Sequence, residues 1–510
     1  MSENLYTLFE RRFPVDRQRP FIETDDGRIF TYGDLATIVG RFARLLVELG
    51  VRQGDRVAVQ VEKSPEAIFL YLAALKAGAV YLPLNTAYQR GEISYFLADA
   101  TPRVVVCRPE AETWIAEIAR ASGVPHVLTL DAHGGGTFGA RAASLIPKSD
   151  TVPASSDDLA AILYTSGTTG RSKGAMMSHG NLASNALTLH KVWGFRRDDV
   201  LLHALPIFHT HGLFVATNCV LLNGSGMLFL PRFEIDAVIR LFPRATVFMG
   251  VPTFYVRLLA HPGFTRELVK HMRLFIAGSA PLLIDTFNEF RTRTGQTILE
   301  RYGMTETGML TSNPLAGERI AGSCGQRLPD VELRIADDKG AALPPDEVGV
   351  IEVRGPNVFR GYWRMPEKTR SEFRPDGYFI SGDIGRVDAR GYLFISGRAK
   401  DLIISGGFNV YPKEIEDCID RIDGVSESAV IGVPHPDFGE GVIAVVKPKA
   451  AAHPTDEAII SHVRAQLANY KVPKRVFFHD DLPRNAMGKV QKNLLREKYR
   501  DLFAGERARG

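Results

Sequence analysis

The stretch Tyr164-Thr-Ser-Gly-Thr-Thr-Gly-Arg-Ser-Lys-Gly174 follows the strand-like run AAILYT and combines hydroxyls, glycines and a lysine. Glycines let backbone N–H groups turn toward an anion, hydroxyls donate further hydrogen bonds, and Lys173 supplies a point charge for polyphosphate. The spacing does not match GxxxxGK[ST], which excludes the ordinary nucleotide-binding P-loop. A flexible Ser/Gly linker is the alternative, but such linkers do not usually follow a buried strand or end in Lys-Gly. The stretch therefore predicts a phosphate-binding loop.

On both sides of this loop, strand-like runs such as TVFMGV and RLFIAG alternate with amphipathic stretches such as 284–294. This alternation predicts α/β layers with mostly parallel sheets. From about residue 320, short strands separated by Gly and Asp turns indicate a β-rich subdomain. The segment after Arg398 carries its own strands and helices. We therefore expect a large N-terminal domain of layered α/β sheets over 1–399 and a small, mobile α+β C-terminal domain over 400–510.

Composition narrows the class of protein. The chain has 510 residues, 45% hydrophobic and 24% charged, which predicts a globular protein with more than one domain. A net charge of +4 without a basic block does not indicate nucleic acid as a partner. The acidic and basic residues at the N-terminus argue against a signal peptide. Four widely spaced cysteines form no disulfide or zinc pattern, and we expect a reducing, cytoplasmic setting.

The apolar run from Ala67 to Leu84 has about the length of a membrane span. It contains Lys76, Gly78 and Pro83, and strand-like runs flank it on both sides. Ser64-Pro65 is a good helix start and Gly78 a good stop. The run therefore predicts a buried βαβ unit, and no membrane is expected as a partner.

Four further motifs follow the loop in order: ERYGMTET (300–307), YFISGDIG (378–385), GRAKDLIISGGFNVYPKEIE (397–416) and PRNAMGKVQK (483–492). With the 164–174 loop they closely resemble the signature of the AMP-forming acyl-CoA synthetase superfamily, which also contains nonribosomal-peptide adenylation domains and luciferases. The resemblance spans almost the whole chain. It implies that ATP, with Mg²⁺, activates a carboxylic acid as an acyl adenylate, and that the acyl group then passes to coenzyme A.

The resemblance also implies an ATP site. It places Thr165, Ser166, Gly167, Thr168, Thr169 and Lys173 around the β- and γ-phosphates, Thr305 on the α-phosphate, Gly278, Ser279, Ala280 and Tyr302 beside adenine, Asp383 on the ribose hydroxyls, and Arg398 on ribose and phosphate, and it counts Gly303 among the ATP-binding residues. Without the ordered motifs, an Asp in a Ser-Gly-Asp turn would be read as a surface turn.

Glu306 is implied as the Mg²⁺ ligand, with Thr165 beside it. This assignment agrees with the preference of Mg²⁺ for oxygen ligands. His209 and His211 are two residues apart, which invites a zinc site, but no carboxylate or further His follows at ligand spacing. By resemblance, His209 lies beside the carboxylate that is activated and belongs with Lys489 and Thr305 among the catalytic residues. His211 is interpreted as structural.

The choice of acid depends on whether a charged pocket is present. A dicarboxylate needs a partner for its second carboxylate, because a buried unpaired charge is costly. Arg257 and Arg301 resemble the positions that bind this group in malonyl-CoA and methylmalonyl-CoA synthetases, with Ser279 adding a hydroxyl. Ile207 and Met309 should shape the space for an α-methyl group, and the sequence does not separate malonate from methylmalonate. The alternatives are a short-chain, medium-chain or aryl acyl-CoA synthetase, or an adenylation enzyme that loads a carrier protein.

The C-terminal motifs imply a rotation of the small domain between the two half-reactions. Lys400 occupies the family's hinge position, and Gly406 and Gly407 are expected to form a turn along which the pantetheine arm of CoA passes. Lys489 is implied to approach the acyl carboxylate and the α-phosphate during adenylation. Its acetylation would remove that charge, so a lysine acetyltransferase and a deacetylase are hypothesised as partners.

Overall fold

A computed structural model describes residues 3–165, 172–405, 408–436, 438–452, 454–485 and 488–504. The predictions for Ser166, Gly167, Thr168, Thr169, Gly406 and Gly407 lie outside the described residues. All other predicted site residues lie within the described part of the chain.

The strands are β1 (Pro20–Thr24), β2 (Ile29–Thr31), β3 (Arg56–Gln60), β4 (Val80–Pro83), β5 (Val104–Cys107), β6 (His126–Thr129), β7 (Leu159–Thr165), β8 (Lys173–Ser178), β9 (Val200–His203), β10 (Gly226–Phe229), β11 (Val247–Gly250), β12 (Leu274–Ala277), β13 (Leu299–Met304), β14 (Gly308–Ser312), β15 (Gln326–Arg327), β16 (Glu332–Ala336), β17 (Gly349–Arg354), β18 (Phe379–Val387), β19 (Leu393–Arg398), β20 (Ile403–Ser405), β21 (Phe408–Val410), β22 (Val425–His435), β23 (Gly439–Pro448) and β24 (Arg475–Phe478).

The α-helices are α1 (Leu5–Glu10), α2 (Tyr32–Glu48), α3 (Pro65–Lys76), α4 (Arg90–Ala100), α5 (Glu112–Ala121), α6 (Gly136–Ala143), α7 (His179–Val192), α8 (Asn218–Asn223), α9 (Ile235–Leu241), α10 (Pro252–Ala260), α11 (Arg266–Val269), α12 (Ile284–Thr294), α13 (Pro366–Ser371), α14 (Pro412–Ile419), α15 (Asp456–Gln466) and α16 (Lys492–Tyr499). Short 3₁₀ turns cover Pro109–Ala111, Phe242–Arg244, Ala399–Asp401 and Asn469–Lys471, and a π-helix covers His211–Thr217.

Two large sheets form the body of the chain. One has the order β6-β5-β3-β4-β7-β8 and is parallel except for β8, and the other has the order β15-β14-β13-β12-β11-β9-β10-β1-β2, with a parallel centre. An antiparallel sheet of β16 to β19 follows, as the Gly- and Asp-rich texture after residue 320 predicts. The α/β class and the β-rich subdomain are confirmed.

The predicted βαβ unit is present as β3, α3 and β4. Ser64 caps α3 by accepting a hydrogen bond from the backbone N–H of Ala67, Pro65 takes the first turn, and every residue of the helix is buried. Gly78 follows with φ +74°, a left-handed conformation that glycine adopts without strain. Within the described part of the chain, no helix is long and apolar enough to cross a membrane.

The small C-terminal unit has its own five-stranded sheet, formed by β20 to β24. Arg398 ends the last strand of the β16–β19 sheet, and Ile403 begins the first strand of the C-terminal sheet. Lys400 therefore lies in the connection between the two sheets, where the hinge was expected. The boundary between residues 399 and 400 and the hinge role of Lys400 stay predictions.

Candidate active site

The predicted site residues meet where strands of the two large sheets end. Thr165 closes β7, Gly278 follows β12, and Thr305 follows β13, while the segment that carries His209 follows β9. The carboxyl ends of parallel strands form a common edge, which is where open α/β sheets bind ligands. Sequence motifs that are far apart in the chain are thus brought to one crevice by the topology.

Arg301 is the most unusual residue of this crevice. It is 3% exposed, and its Nε and Nη2 find no hydrogen-bond partner within the described residues. Burial lowers its pKa to about 10. A buried guanidinium without an acceptor costs several kcal/mol, so the arrangement is suited to an anionic ligand.

His209 and His211 face Arg301. Burial, with the Arg301 charge adding to it, lowers the pKa of His209 to about 4 and holds that of His211 well below its usual value, so both rings are neutral near pH 7. Nδ1 of His211 lies 3.2 Å from Oγ of Ser279, and its buried Nε2 lacks a partner in the described structure. Ser279 itself has φ +73°, a strained conformation for a serine. His211 therefore contacts the predicted substrate-binding turn, a role that the sequence interpretation missed.

The residues predicted for adenine and ribose form one hydrogen-bonded cluster. Tyr302 donates a 2.5 Å hydrogen bond to Oδ2 of Asp383, and Nε of Arg398 lies 2.8 Å from Oδ1 of the same carboxylate. Asp383 and Arg398 are register partners in the pairing of β18 with β19. A carboxylate offers about four acceptor positions, so Asp383 retains capacity for ligand hydroxyls.

A second network surrounds the predicted metal ligand. Glu306 is buried, which raises its pKa, and its Oε1 accepts a 3.2 Å hydrogen bond from the hydroxyl of Tyr362. The same hydroxyl lies 2.7 Å from Oε2 of Glu372, whose Oε1 is 3.1 Å from Nζ of Lys173. Lys173 also lies over the Tyr362 ring, 4.3 Å from its centroid. The sequence did not indicate Tyr362 and Glu372 as site residues. They contact Lys173 only in the folded chain, so the sequence around them carries no signal of this role.

Lys489 approaches this crevice from the C-terminal unit. It follows Gly488, which has φ +74° and packs so closely that a Cβ there would lie 3.1 Å from Cγ2 of Thr253 in α10. The lysine side chain keeps contact with solvent, yet desolvation in the cleft lowers its pKa to about 8, and the charges of Arg398 and Lys400 add to this effect.

The remaining acyl-site predictions divide by burial. Ile207 and Met309 are buried. Gly303 is held against β14, where a Cβ would lie 2.7 Å from the methyl carbon of Met309. Arg257 is exposed on α10, with its guanidinium carbon 6.0 Å from the centroid of the Phe233 ring. The structure therefore brings Arg301, but not Arg257, into the buried part of the crevice.

Comparison with known proteins identifies the family. Residues 9–363 match the family described as AMP-binding enzyme, and residues 414–489 match the AMP-binding enzyme C-terminal domain. The chain belongs to the AMP-binding enzymes. Within them it is an AMP-forming acyl-CoA ligase, as its named relatives and its structural neighbours agree.

Relatives of this ligase family differ in the acid that they are named for. The feruloyl-CoA synthase of an Amycolatopsis species is 36% identical over 93% of this chain and 94% of its own length. The sulfoacetate–CoA ligase of Cupriavidus necator is 34% identical over the same shares of both chains, 93% and 94%. The malonate–CoA ligase of Arabidopsis thaliana is 32% identical over 92% of this chain and 85% of its own length. None of these comparisons supports a lysine acetyltransferase as a partner.

Two solved structures of MatB from Rhodopseudomonas palustris resemble this ligase closely. Both are 56% identical and cover 99% of this chain and 100% of their own. The ATP-bound structure superposes with a TM-score of 0.96 and the apo structure with a TM-score of 0.86. This chain therefore superposes better on the ATP-bound structure than on the apo structure.

Proposed function

We propose that the chain joins malonate or methylmalonate to coenzyme A through an acyl-AMP intermediate. The observation that carries this proposal is the buried, unpartnered guanidinium of Arg301. In the acid's bound position, its second carboxylate accepts hydrogen bonds from Nε and Nη2 of Arg301. The hydroxyl of Ser279, which lies 3.2 Å from Nδ1 of His211, is proposed as a further hydrogen-bond donor to this carboxylate.

The proposed chemistry has two steps. In the first, a carboxylate oxygen of the acid attacks the α-phosphorus of ATP, an O–P bond forms, and pyrophosphate leaves. In the second, the CoA sulfur attacks the acyl carbon, the thiol proton is lost, and the bond to AMP breaks. His209 is assigned to the first step as a neighbour of the reacting carboxylate. Its neutral ring suits this position, because a second cation beside Arg301 would attract the reacting carboxylate and misplace it.

Cations are needed in the first step because two anions meet. Lys489 is assigned to offset the charge of the carboxylate and α-phosphate, and Lys173 to bind the outgoing phosphates. Glu306, with Thr165 at the end of β7, would hold Mg²⁺, which supplies charge neutralisation to the phosphate oxygens when it is bound. The buried carboxylate of Glu306 has one hydroxyl partner, Tyr362, in the described structure, and so retains oxygen positions suited to this cation.

The two steps are assigned to two orientations of the small domain. The greater similarity to ATP-bound than to apo MatB supports the assignment of the present arrangement to adenylation. Lys489 faces Asp383 and Arg398 in this arrangement. Lys400 is the proposed pivot. Gly406 and Gly407 are assigned to CoA in the other orientation on the resemblance alone.

Sulfoacetate is the second candidate substrate. A guanidinium binds a sulfonate as it binds a carboxylate, and one relative is named as a sulfoacetate–CoA ligase. Ferulate and unsubstituted fatty acids are disfavoured, because neither places an anion against Arg301.

The deciding experiment measures CoA-dependent AMP release with malonate, methylmalonate, sulfoacetate, propionate, hexanoate and ferulate. Malonate or methylmalonate should give the highest kcat/KM. In Arg301→Ala, loss of the charge partner should remove at least ~2 kcal/mol of transition-state binding for the dicarboxylate, and much less for propionate. Arg257→Ala, measured in parallel, tests whether the exposed arginine contributes.

Arg273→Ala is the matched control, because Arg273 is already paired with Asp199, with Nη2 to Oδ2 at 2.6 Å. Its ratio of malonate to propionate kcat/KM should equal that of the wild type. Equal losses for both acids in Arg301→Ala would assign Arg301 to ATP or to the fold. A preference for ferulate or hexanoate would refute the proposed substrate.

A further inference from the structure

A half-buried lysine, Lys63, connects the two large sheets and lines a cavity together with Ile207. Lys63 lies between β3 and α3, and its Nζ is 3.1 Å from Nδ1 of His203 and donates to the backbone carbonyl of His203 at 2.9 Å. His203 ends β9 in the other sheet, and the Nζ also lies over the ring of Phe229, 4.3 Å from its centroid. Lys63 is not among the residues predicted for the ATP or acyl sites.

The hydrogen bonds around His203 fix its tautomer. Nε2 lies 2.9 Å from the backbone carbonyl of Gly212, which can only accept, so the hydrogen is on Nε2. Burial and the adjacent Lys63 charge lower the pKa of His203 well below its usual value, so the ring is neutral. Nδ1 is therefore the acceptor of the Lys63 hydrogen bond.

The carbonyl that His203 holds belongs to the segment that carries the active-site histidines. Gly212 lies at the start of the π-helix His211–Thr217, and its carbonyl also accepts from Oγ1 of Thr217 at 2.9 Å. No side chain fits at this position, because a Cβ on Gly212 would lie 2.1 Å from the carbonyl oxygen of Pro206. A π-helical turn is rare and is concentrated at functional sites.

We propose that Lys63 is a positioning residue for His209 and His211. It donates to Nδ1 of His203, which leaves the hydrogen on Nε2 to hold the Gly212 carbonyl, and this contact fixes the π-helical turn that begins at His211. Through this chain of hydrogen bonds, Lys63 sets where the two histidines stand relative to Arg301 and Ser279. The inference rests on the proposed adenylate-forming reaction and extends it to a residue that touches no substrate.

The test uses Lys63→Met, which keeps the aliphatic stem and removes the donor, with Lys76→Met as the matched control. Lys76 is a buried lysine whose Nζ also lies over an aromatic ring, 4.6 Å from the centroid of Tyr6. It donates hydrogen bonds to the backbone carbonyl of Ser149 and the hydroxyl of Thr151, which belong to none of the predicted sites. Pyrophosphate–ATP exchange is measured with the acid that proves best in the substrate panel. A failure of the malonate proposal thus leaves this test intact.

We expect kcat for exchange in Lys63→Met to fall by about 10- to 100-fold, which is the loss that misplaced reacting groups cause, and the KM for ATP to change little. Lys76→Met should keep the wild-type exchange rate at a similar loss of Tm. The ¹⁵N NMR signal of Nδ1 of His203 should shift in Lys63→Met, because this nitrogen loses its hydrogen-bond donor. Lys63 lines a cavity of about 190 Å³, so ethylammonium should restore exchange to Lys63→Ala.

Wild-type exchange in Lys63→Met would overturn the proposal. So would an unchanged Nδ1 signal of His203, or a loss of exchange that tracks Tm equally in both lysine variants. If Lys63→Met does not fold, Lys63→Gln takes its place in the test, because glutamine keeps an N–H donor. Exchange in Lys63→Gln close to that of Lys63→Ala, with no amine rescue of the latter, would then count against the proposal.

Discussion

Gly278 leaves the space that Arg301 fills: a Cβ at residue 278 would lie 2.5 Å from the guanidinium carbon. The missing side chain lets the arginine lie flat beneath the turn that follows β12. Ser279 and Ala280 extend this turn over the crevice, so the same backbone that is predicted to flank adenine also covers the charged group of the acyl site. Under the proposed assignments, the two substrates would lie on opposite sides of this one short segment.

Arg301→Met should separate stability from activity. Replacing a buried, unpaired charge with an apolar side chain of similar length removes a desolvation cost, so the Tm should stay the same or rise. Malonate at about 100 times its Kd should stabilise the wild type by about 2.7 kcal/mol and should leave the variant unaffected. Thermal unfolding with and without malonate tests this. A marked fall in Tm for Arg301→Met would contradict the assignment of an unpaired charge.

Glu306→Gln should reduce adenylate formation by on the order of 10²-fold, because the variant keeps the shape of the side chain but loses the charge proposed to hold Mg²⁺. The rate is measured across a Mg²⁺ titration. Glu300→Gln is the control, since burial raises the pKa of Glu300 to about 8 and the amide mimics its protonated form. Equal Mg²⁺ requirements for the wild type and Glu306→Gln would remove Glu306 from the metal site.

Lys489→Ala should abolish adenylate formation and spare transfer from a presynthesised acyl adenylate to CoA. The lysine faces Asp383 and Arg398 in the present orientation of the small domain, and under the two-orientation proposal it leaves them for the transfer step. Thioester formation from synthetic malonyl-AMP plus CoA is compared between wild type and variant. Comparable losses in both half-reactions would make Lys489 a general structural residue and refute the two-orientation account.

The pH dependence of adenylation should follow Lys489. Desolvation depresses its pKa to about 8, so the ammonium form dominates below pH 8 and is lost as the pH rises through that value. We expect kcat/KM for ATP to fall above about pH 8, since this parameter reports the free enzyme. In Lys489→Arg the guanidinium stays charged, so any residual activity should lack this alkaline limb. A limb that persists in Lys489→Arg belongs to another group.

The sequence predicts the parts of the site that are carried by continuous motifs. Thr165 at the end of β7, the turn after β12 and the hairpin between β13 and β14 lie at strand ends, where short-range spacing predicts them. The contacts of Tyr362 and Glu372 with Lys173 were not predictable, since the Glu372 pair joins residues 199 positions apart. No local pattern marks that encounter.

Burial was the other quantity that the sequence did not supply. Arg257 and Arg301 looked equivalent as candidate partners of a carboxylate, yet one is exposed on a helix and the other is enclosed by strands. The π-helix after His209 was also not foreseen. It depends on the contact of Gly212 with the backbone of Pro206, which only the folded chain brings about.

The pairing of Asp383 with Arg398 has a thermodynamic consequence. Arg398 ends its sheet two residues before Lys400, so the chain passes almost directly from the carboxylate proposed to bind ribose to the proposed pivot. Nucleotide affinity and domain orientation then form one coupled equilibrium, and the coupling is reciprocal. A substitution at residue 400 that lowers the population of the ATP-binding orientation should weaken the apparent affinity for ATP in proportion to that population, although the substituted side chain need never touch the nucleotide.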